Sequence, residues 1–287
     1  MSLRGQARST TAGKLHSRSS IEVFTGAYNL ARRAKLLQIG WFRRVFVASY
    51  FLYKRLYEDP FWELVRSRPQ LFESGDILDI GANIGYTACL FARTLKGASK
   101  VYAFEPDQSS YVLLEEVIRR KNLSGSIEAL NIAVGSSNSY VEFWHNEEHS
   151  ADHRVVTDQF KSFRPDAKKF STVPMTSVDA FVKTRNLLKI SFIKIDVQGY
   201  ELAVCEGMKQ TLERFPELCV CLEYSPEALV ELGFDPIKLL DFFRAKGYQL
   251  HVLTRAAIRL ASDNASIQPL LDDAGYVDLL CSKRVLD

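Results

Sequence analysis

The stretch Asp79-Ile80-Gly81-Ala82-Asn83-Ile84-Gly85-Tyr86-Thr87 overlaps the end of an apolar run, Ile77–Ile80, and leads into a helical pattern from about Ile84 to Leu95. Glycines at such a strand-to-helix junction permit a tight turn and let a ligand approach the backbone, while the helix start offers free amides. As a dinucleotide fingerprint G-x-G-x-x-G starting at Gly81, the loop lacks its second and third glycines, which are Asn83 and Tyr86. A pyrophosphate ligand is therefore disfavoured. The next strand, Lys100–Glu105, closes on an acid in Ala103-Phe104-Glu105-Pro106. An acid there can accept both hydroxyls of a ribose; the competing reading is a cap on the following helix.

Outward from this loop, strands alternate with helices, the signature of a largely parallel sheet. The helix Ser109–Lys121 puts Val112, Leu113, Val117 and Ile118 on one face, and Ser126–Ile132 reads as a third strand. A polar, irregular insertion follows, with a strand-like Tyr140–Trp144, before Ile190–Ile195 resumes the core. A helix over about Glu201–Arg214, the strand Leu218–Glu223 and helices over Pro226–Lys246 come next. Two final strands, Tyr248–Leu253 and Tyr276–Ser282, are separated by an Asp/Asn/Ala-rich loop.

A chain of 287 residues with 47% hydrophobic and 25% charged residues is ordinary for a large globular α/β domain with an extension, and excludes disordered and fibrous classes. Five scattered cysteines, with Cys219 and Cys221 inside an apolar run, read as core thiols of a reducing compartment, and no C-x-x-C pair is present for a structural zinc. The expected setting is cytoplasmic. Charge is uneven: residues 1–68 hold 13 Lys/Arg against 4 Asp/Glu, while the remainder holds 24 against 30. A basic head on an acidic body suits a phosphate, an acidic glycan or a membrane surface, and no nucleic-acid footprint is expected. Residues 1–20, rich in Ser, Thr and Arg, read as a flexible tail, with a mitochondrial transit peptide as the alternative. Residues 21–70 read as a helical basic extension, and 71–287 as the main domain. Within the extension, Trp41–Tyr57 mixes aromatics with Arg43, Arg44, Lys54 and Arg55, as an interfacial membrane helix does; the alternative is a helical layer with solvated basic residues. Its longest apolar run, Val45–Tyr53, is half the roughly 20 residues that span a bilayer.

The loop and Glu105 together resemble the class I S-adenosylmethionine-dependent methyltransferases. More closely, the chain resembles the FkbM family within them. The marks are Leu78-Asp79-Ile80-Gly81-Ala82-Asn83-Ile84-Gly85, Ala103-Phe104-Glu105-Pro106, Asn131-Ile132-Ala133-Val134-Gly135 and, most specifically, Ile193-Lys194-Ile195-Asp196-Val197-Gln198-Gly199-Tyr200-Glu201. The family usually has Glu where this chain has Gln198, a departure that weakens any metal-binding or proton-transfer role at 198 and leaves the cofactor site untouched.

The resemblance implies a Rossmann-like sheet of seven mostly parallel strands ending in an antiparallel hairpin, with S-adenosylmethionine at the strand carboxyl ends. It implies Gly81, Asn83 and Gly85 along the methionine and ribose, Asp79 nearby, Glu105 on the ribose, Ala133 close to the adenine and Asp196 facing the reacting methyl. The expected acceptor is a small molecule or glycan bearing a sugar or polyketide hydroxyl. Asp196 is a candidate base for such a hydroxyl, or else an orienting or capping carboxylate; Glu223 is a weaker candidate. The insertion carries His145, His149 and His153. His149 is put forward as a base over the site, against solvated loop residues; His145-x-x-Glu148-His149 also matches an inverted zincin motif, but Trp144 ends a strand pattern where that motif needs a helix. No metal site is expected. Two other functions compete: a nicotinamide-dependent oxidoreductase, and a non-catalytic module that binds cofactor product or docks on a membrane.

Overall fold

In the computed structural model, the apolar runs from Ile77 onward pair as the main sheet. The structure describes residues 40–287 apart from 74, 147–152, 262, 285 and 287. The sheet contains β1 (Asp76–Ile80), β2 (Val101–Phe104), β3 (Ile127–Leu130), β8 (Ile190–Ile195), β9 (Cys219–Tyr224), β10 (Gln249–Leu253), β11 (Ile258–Leu260) and β12 (Val277–Ser282). Their order is β11-β10-β12-β9-β8-β1-β2-β3. The five from β3 to β9 are mutually parallel, and β12 lies antiparallel between β9 and β10. This is the expected Rossmann-like arrangement with one strand more. The eighth, β11, is three residues of the loop after β10, pairing antiparallel with its outer edge. Three residues, two of them exposed, leave too little alternation to be read from sequence.

All six residues of β8 are buried, as are the last four of β1, so these central strands are covered on both faces. One face carries packed rings, Phe72 against Phe192 at 4.5 Å and against Phe91 at 5.4 Å. The helix after β1 is shorter than expected, Tyr86–Phe91, because left-handed Gly85 (φ 88°) fixes its start and the chain leaves α geometry through turns at Arg93 and Thr94.

The insertion forms a second sheet, which corrects its reading as irregular. It consists of β4 (Ala133–Val134), β5 (Ser139–Trp144), β6 (Arg154–Val155) and β7 (Phe170–Thr176), ordered β4-β7-β5-β6. Ala133, Phe143, Val155, Val173 and Met175 make its own apolar core. Pro174 hides β7 from a sequence reading. It is tolerated because β4 pairs only with Met175 and Thr176, leaving the rest of that side of β7 as an edge.

Of the N-terminal extension, the described part contains a helix, Gly40–Tyr53, and a π-helical turn, Lys54–Glu58. The described residues up to Asp59 form a unit apart from Pro60 onward, so the helix Phe61–Ser67 belongs with the main sheet. The tail at 1–20 lies outside the described residues.

Sheet order reverses between β1 and β8, because the chain steps outward from β1 through β2 to β3 and then returns to β1's other side. In open α/β sheets, ligands bind beyond the strand carboxyl ends at such a point. The approach there is close: a Cβ on Gly81, whose φ is 78°, would lie 1.8 Å from the carbonyl oxygen of Asp196. Gly97 also has positive φ (64°), yet nothing lies near it. Gly97→Ala is therefore expected to cost only the backbone strain, about 1–2 kcal/mol. Gly81→Ala should exceed it by about 1–3 kcal/mol from overpacking, both measured by urea unfolding; equal losses would contradict this packing.

Candidate functional site

Three charged groups meet where β1 and β8 end. Asp79 is fully buried; Thr87 Oγ1 donates to its Oδ2 at 2.7 Å, and its Oδ1 accepts no hydrogen bond. Lys194 Nζ lies 3.6 Å from that Oδ1 and 3.3 Å from Asp196 Oδ2, and donates to the Gly81 carbonyl at 2.9 Å. Burial raises the pKa of Asp79, with Lys194 the largest opposing influence. Lys194 is a member of this group that its sequence motif alone does not single out. Its signal is a lone charged residue in a strand whose other members are apolar or Ser191, and a charge must be paired when buried.

Glu105, one residue past β2, faces the glycine loop. Its Oε2 accepts from the Asn83 amide and its Oε1 from the Asp107 amide, both at 2.8 Å. The Asn83 amide is turned that way by a left-handed backbone (φ 49°), which asparagine tolerates better than most residues. Burial pushes the Glu105 carboxyl up to about 8 despite these donors. Asn131 supports the same loop, donating through Nδ2 to the carbonyls of Glu105 (2.9 Å) and Pro106 (3.1 Å).

Beyond β8 the chain turns through Gln198 (φ 54°) and Gly199 (φ 98°). Glu201, buried, braces this turn by accepting from the amides of Val197 (3.0 Å) and Gly199 (3.1 Å), and burial pushes its carboxyl up to about 7. The turn presents Gln198 Nε2 to Asp196 Oδ1 at 2.9 Å and to Glu223 Oε1 at 3.4 Å. Asp196, Gln198 and Glu223 therefore form one polar cluster. Sequence reading missed the bracing role of Glu201.

The second sheet is fastened at both sides of this edge. Asp107 caps the helix Gln108–Arg120 through the Ser110 amide (2.8 Å), and its Oδ2 lies 2.9 Å from His145 Nδ1. His145 Nε2 lies 2.7 Å from Ser171 Oγ, and His153 Nε2 lies 3.7 Å from Asp107 Oδ1. Burial raises the Asp107 pKa, but the two histidines and the Ser110 donor outweigh it and hold the group well below the usual carboxylate range. On the other side Glu231 receives Arg154 and Arg164, each at 2.5 Å, and Thr157 donates to the Leu232 carbonyl. Ala133 packs its methyl into the second sheet's core. His149, with Glu148 of the zincin-like motif, lies outside the described residues. Among the described residues, no three His, Cys, Asp or Glu side chains gather as metal ligands.

These features fit an adenosyl ligand. A carboxylate offers about four acceptor positions, so one donor on each Glu105 oxygen leaves room for two ribose hydroxyls. Asp79 Oδ1 is a buried acceptor without a donor. Both belong to the strand ends that Gly81, Asn83 and Gly85 join.

Comparison with known proteins bears on the family. A curated relative, the hexuronic acid methyltransferase AglP of Haloferax volcanii, is 28% identical over 153 residues, which cover 53% of this chain and 57% of that protein. The chain thus spans less than two thirds of that relative's length. Among solved structures, an FkbM methyltransferase of Methylobacillus flagellatus is 16% identical with a TM-score of 0.45, covering 80% of this chain and 52% of that one. An O-methyltransferase of Bacillus cereus in complex with SAH is 13% identical with a TM-score of 0.42, covering 77% and 78%. Residues 79–250, more than half of the chain, match the methyltransferase FkbM domain. The chain belongs to the FkbM methyltransferase family, whose cofactor is S-adenosylmethionine.

Proposed function

We propose that this chain methylates an oxygen, the hydroxyl of a sugar or polyketide acceptor, free or within a glycan. The observation that carries the reading is the buried Glu105 carboxyl, tied to the Asn83 amide beside the sheet's reversal point. The curated relative's activity on hexuronic acid supports a sugar acceptor.

S-adenosylmethionine, when bound, supplies a methyl already activated for in-line displacement, so the protein's share is positioning and exclusion of water. Glu105 would accept from the ribose hydroxyls. Asp79, whose Oδ1 faces Lys194, would accept from the amino end of the methionine, and the left-handed Asn83 and Gly85 would shape the cradle between them. A hydroxyl acceptor must lose its proton at or before transfer. Asp196 takes that proton, its carboxylate oriented by Lys194 on one oxygen and Gln198 on the other. The second sheet, fastened at Asp107 and Glu231, supplies the wall that limits water.

Glu105→Gln is expected to weaken S-adenosylhomocysteine binding by about 1–3 kcal/mol, measured by isothermal titration. The wild-type affinity should depend on pH. Ribose hydroxyls favour the ionised carboxylate, so binding lowers a pKa that stands at about 8 in the free protein. Below that value, binding releases a proton and tightens as pH rises; above it the affinity is flat. Affinity in Glu105→Gln lacks this slope. A wild-type affinity unchanged between weakly acidic and neutral pH would place the ribose elsewhere.

Methyl transfer is tested with labelled S-adenosylmethionine and a panel of neutral sugars, hexuronic acids and polyketide alcohols. With an accepted substrate, Asp196→Asn should lower kcat by about 10²–10⁴-fold while S-adenosylhomocysteine affinity holds. Undiminished kcat would remove Asp196 as the base.

A further inference from the structure

The helix Gly40–Tyr53 has two unlike faces. Phe42, Phe46 and Tyr50 are half-buried on one. On the other, Trp41, Val45 and Leu52 are 66%, 56% and 55% exposed. With exposed Ala48 they follow a 4-3-4 spacing, so at about 100° per residue they fall within an arc of roughly 60°. Leu56, in the π-helical turn that continues the helix, is exposed as well. Exposed Arg44 borders this stripe, and Arg55 is exposed near its end.

An apolar stripe edged by arginines, led by a tryptophan, is the composition of a helix lying in the headgroup layer of a bilayer. Length agrees: 14 residues extend about 21 Å, short of the roughly 30 Å hydrocarbon core, and no helix among the described residues is long and apolar enough to cross a membrane. Charge decides between occupants. From residue 23 to residue 57 the chain carries seven Lys/Arg and no Asp/Glu, so two copies of this segment repel each other. A nucleic acid would satisfy the charge but leave the stripe exposed to water. An anionic lipid surface satisfies both.

We infer that this face docks the protein on anionic membranes, with Trp41, Val45 and Leu52 entering the headgroup–acyl boundary and Arg44 and Arg55 meeting lipid phosphates. The inference stands apart from the methyl-transfer reading. Docking would bring the catalytic unit to acceptors that are themselves held at a membrane.

The test uses the full chain in flotation with phosphatidylcholine vesicles, with and without phosphatidylglycerol. Wild type should float with the anionic vesicles, less so at high salt, and stay behind with neutral ones. The double substitution Val45→Asp and Leu52→Asp alters exposed positions only. It should weaken flotation about tenfold or more, with melting temperature and S-adenosylhomocysteine affinity unchanged. Flotation of that variant equal to wild type would overturn the inference. So would a wild-type chain indifferent to phosphatidylglycerol, or a dimer in sedimentation that the same substitutions split while vesicles go unbound.

Discussion

At the meeting of β1 and β8 one buried ammonium joins a fully buried carboxylate, Asp79, to a half-buried one, Asp196. Lys194 Nζ is 3.6 Å from Asp79, 3.3 Å from Asp196 and 2.9 Å from the Gly81 carbonyl it bonds. An unpaired buried charge costs several kcal/mol, so Asp79 and Lys194 depend on each other, whereas Asp196 keeps part of its side chain in water. The same ammonium links the glycine loop after β1 to the carboxylate that follows β8. Fold and site therefore share a single electrostatic knot.

From that knot, order spreads along backbone amides. Asn83 and Asp107 each give one to Glu105, Val197 and Gly199 give theirs to Glu201, and Ser110 gives one to Asp107. Three buried acids thus fix three loops beyond β1, β2 and β8. Glu105 and Glu201 are held up by burial, to about 8 and about 7, whereas Asp107, with His145 and His153 facing it, is held down. Similar carboxyls carry different protonation according to what each is given to accept and which charges stand near.

The parallel core was legible because its strands are short apolar runs punctuated by glycine and closed by acids at Asp79, Glu105 and Asp196. Those acids and the glycine loop could be found from their order alone. Other features could not. Lys194 in a strand looks like a surface residue until its neighbours from β1 are known. The His145–Asp107 pairing joins residues 38 apart, and the helix and strands legible between them do not say how the insertion folds back. The second sheet escaped because Pro174 interrupts its longest strand and β4 and β6 have two residues each. Gln198 was noticed as a departure in charge; its amide's donation to Asp196 depends on a left-handed turn that no composition reveals.

The second sheet keeps its own apolar centre of Ala133, Phe143, Val155, Val173 and Met175, and meets the main body through polar fasteners at Asp107 and Glu231 and through Val134 and Tyr200 at its inner edge. Such a module can exchange outward-facing side chains, or lengthen its connections, without repacking the sheet below. Change on that outer face is thereby uncoupled from the loops at Gly81, Glu105 and Asp196, which can stay as they are.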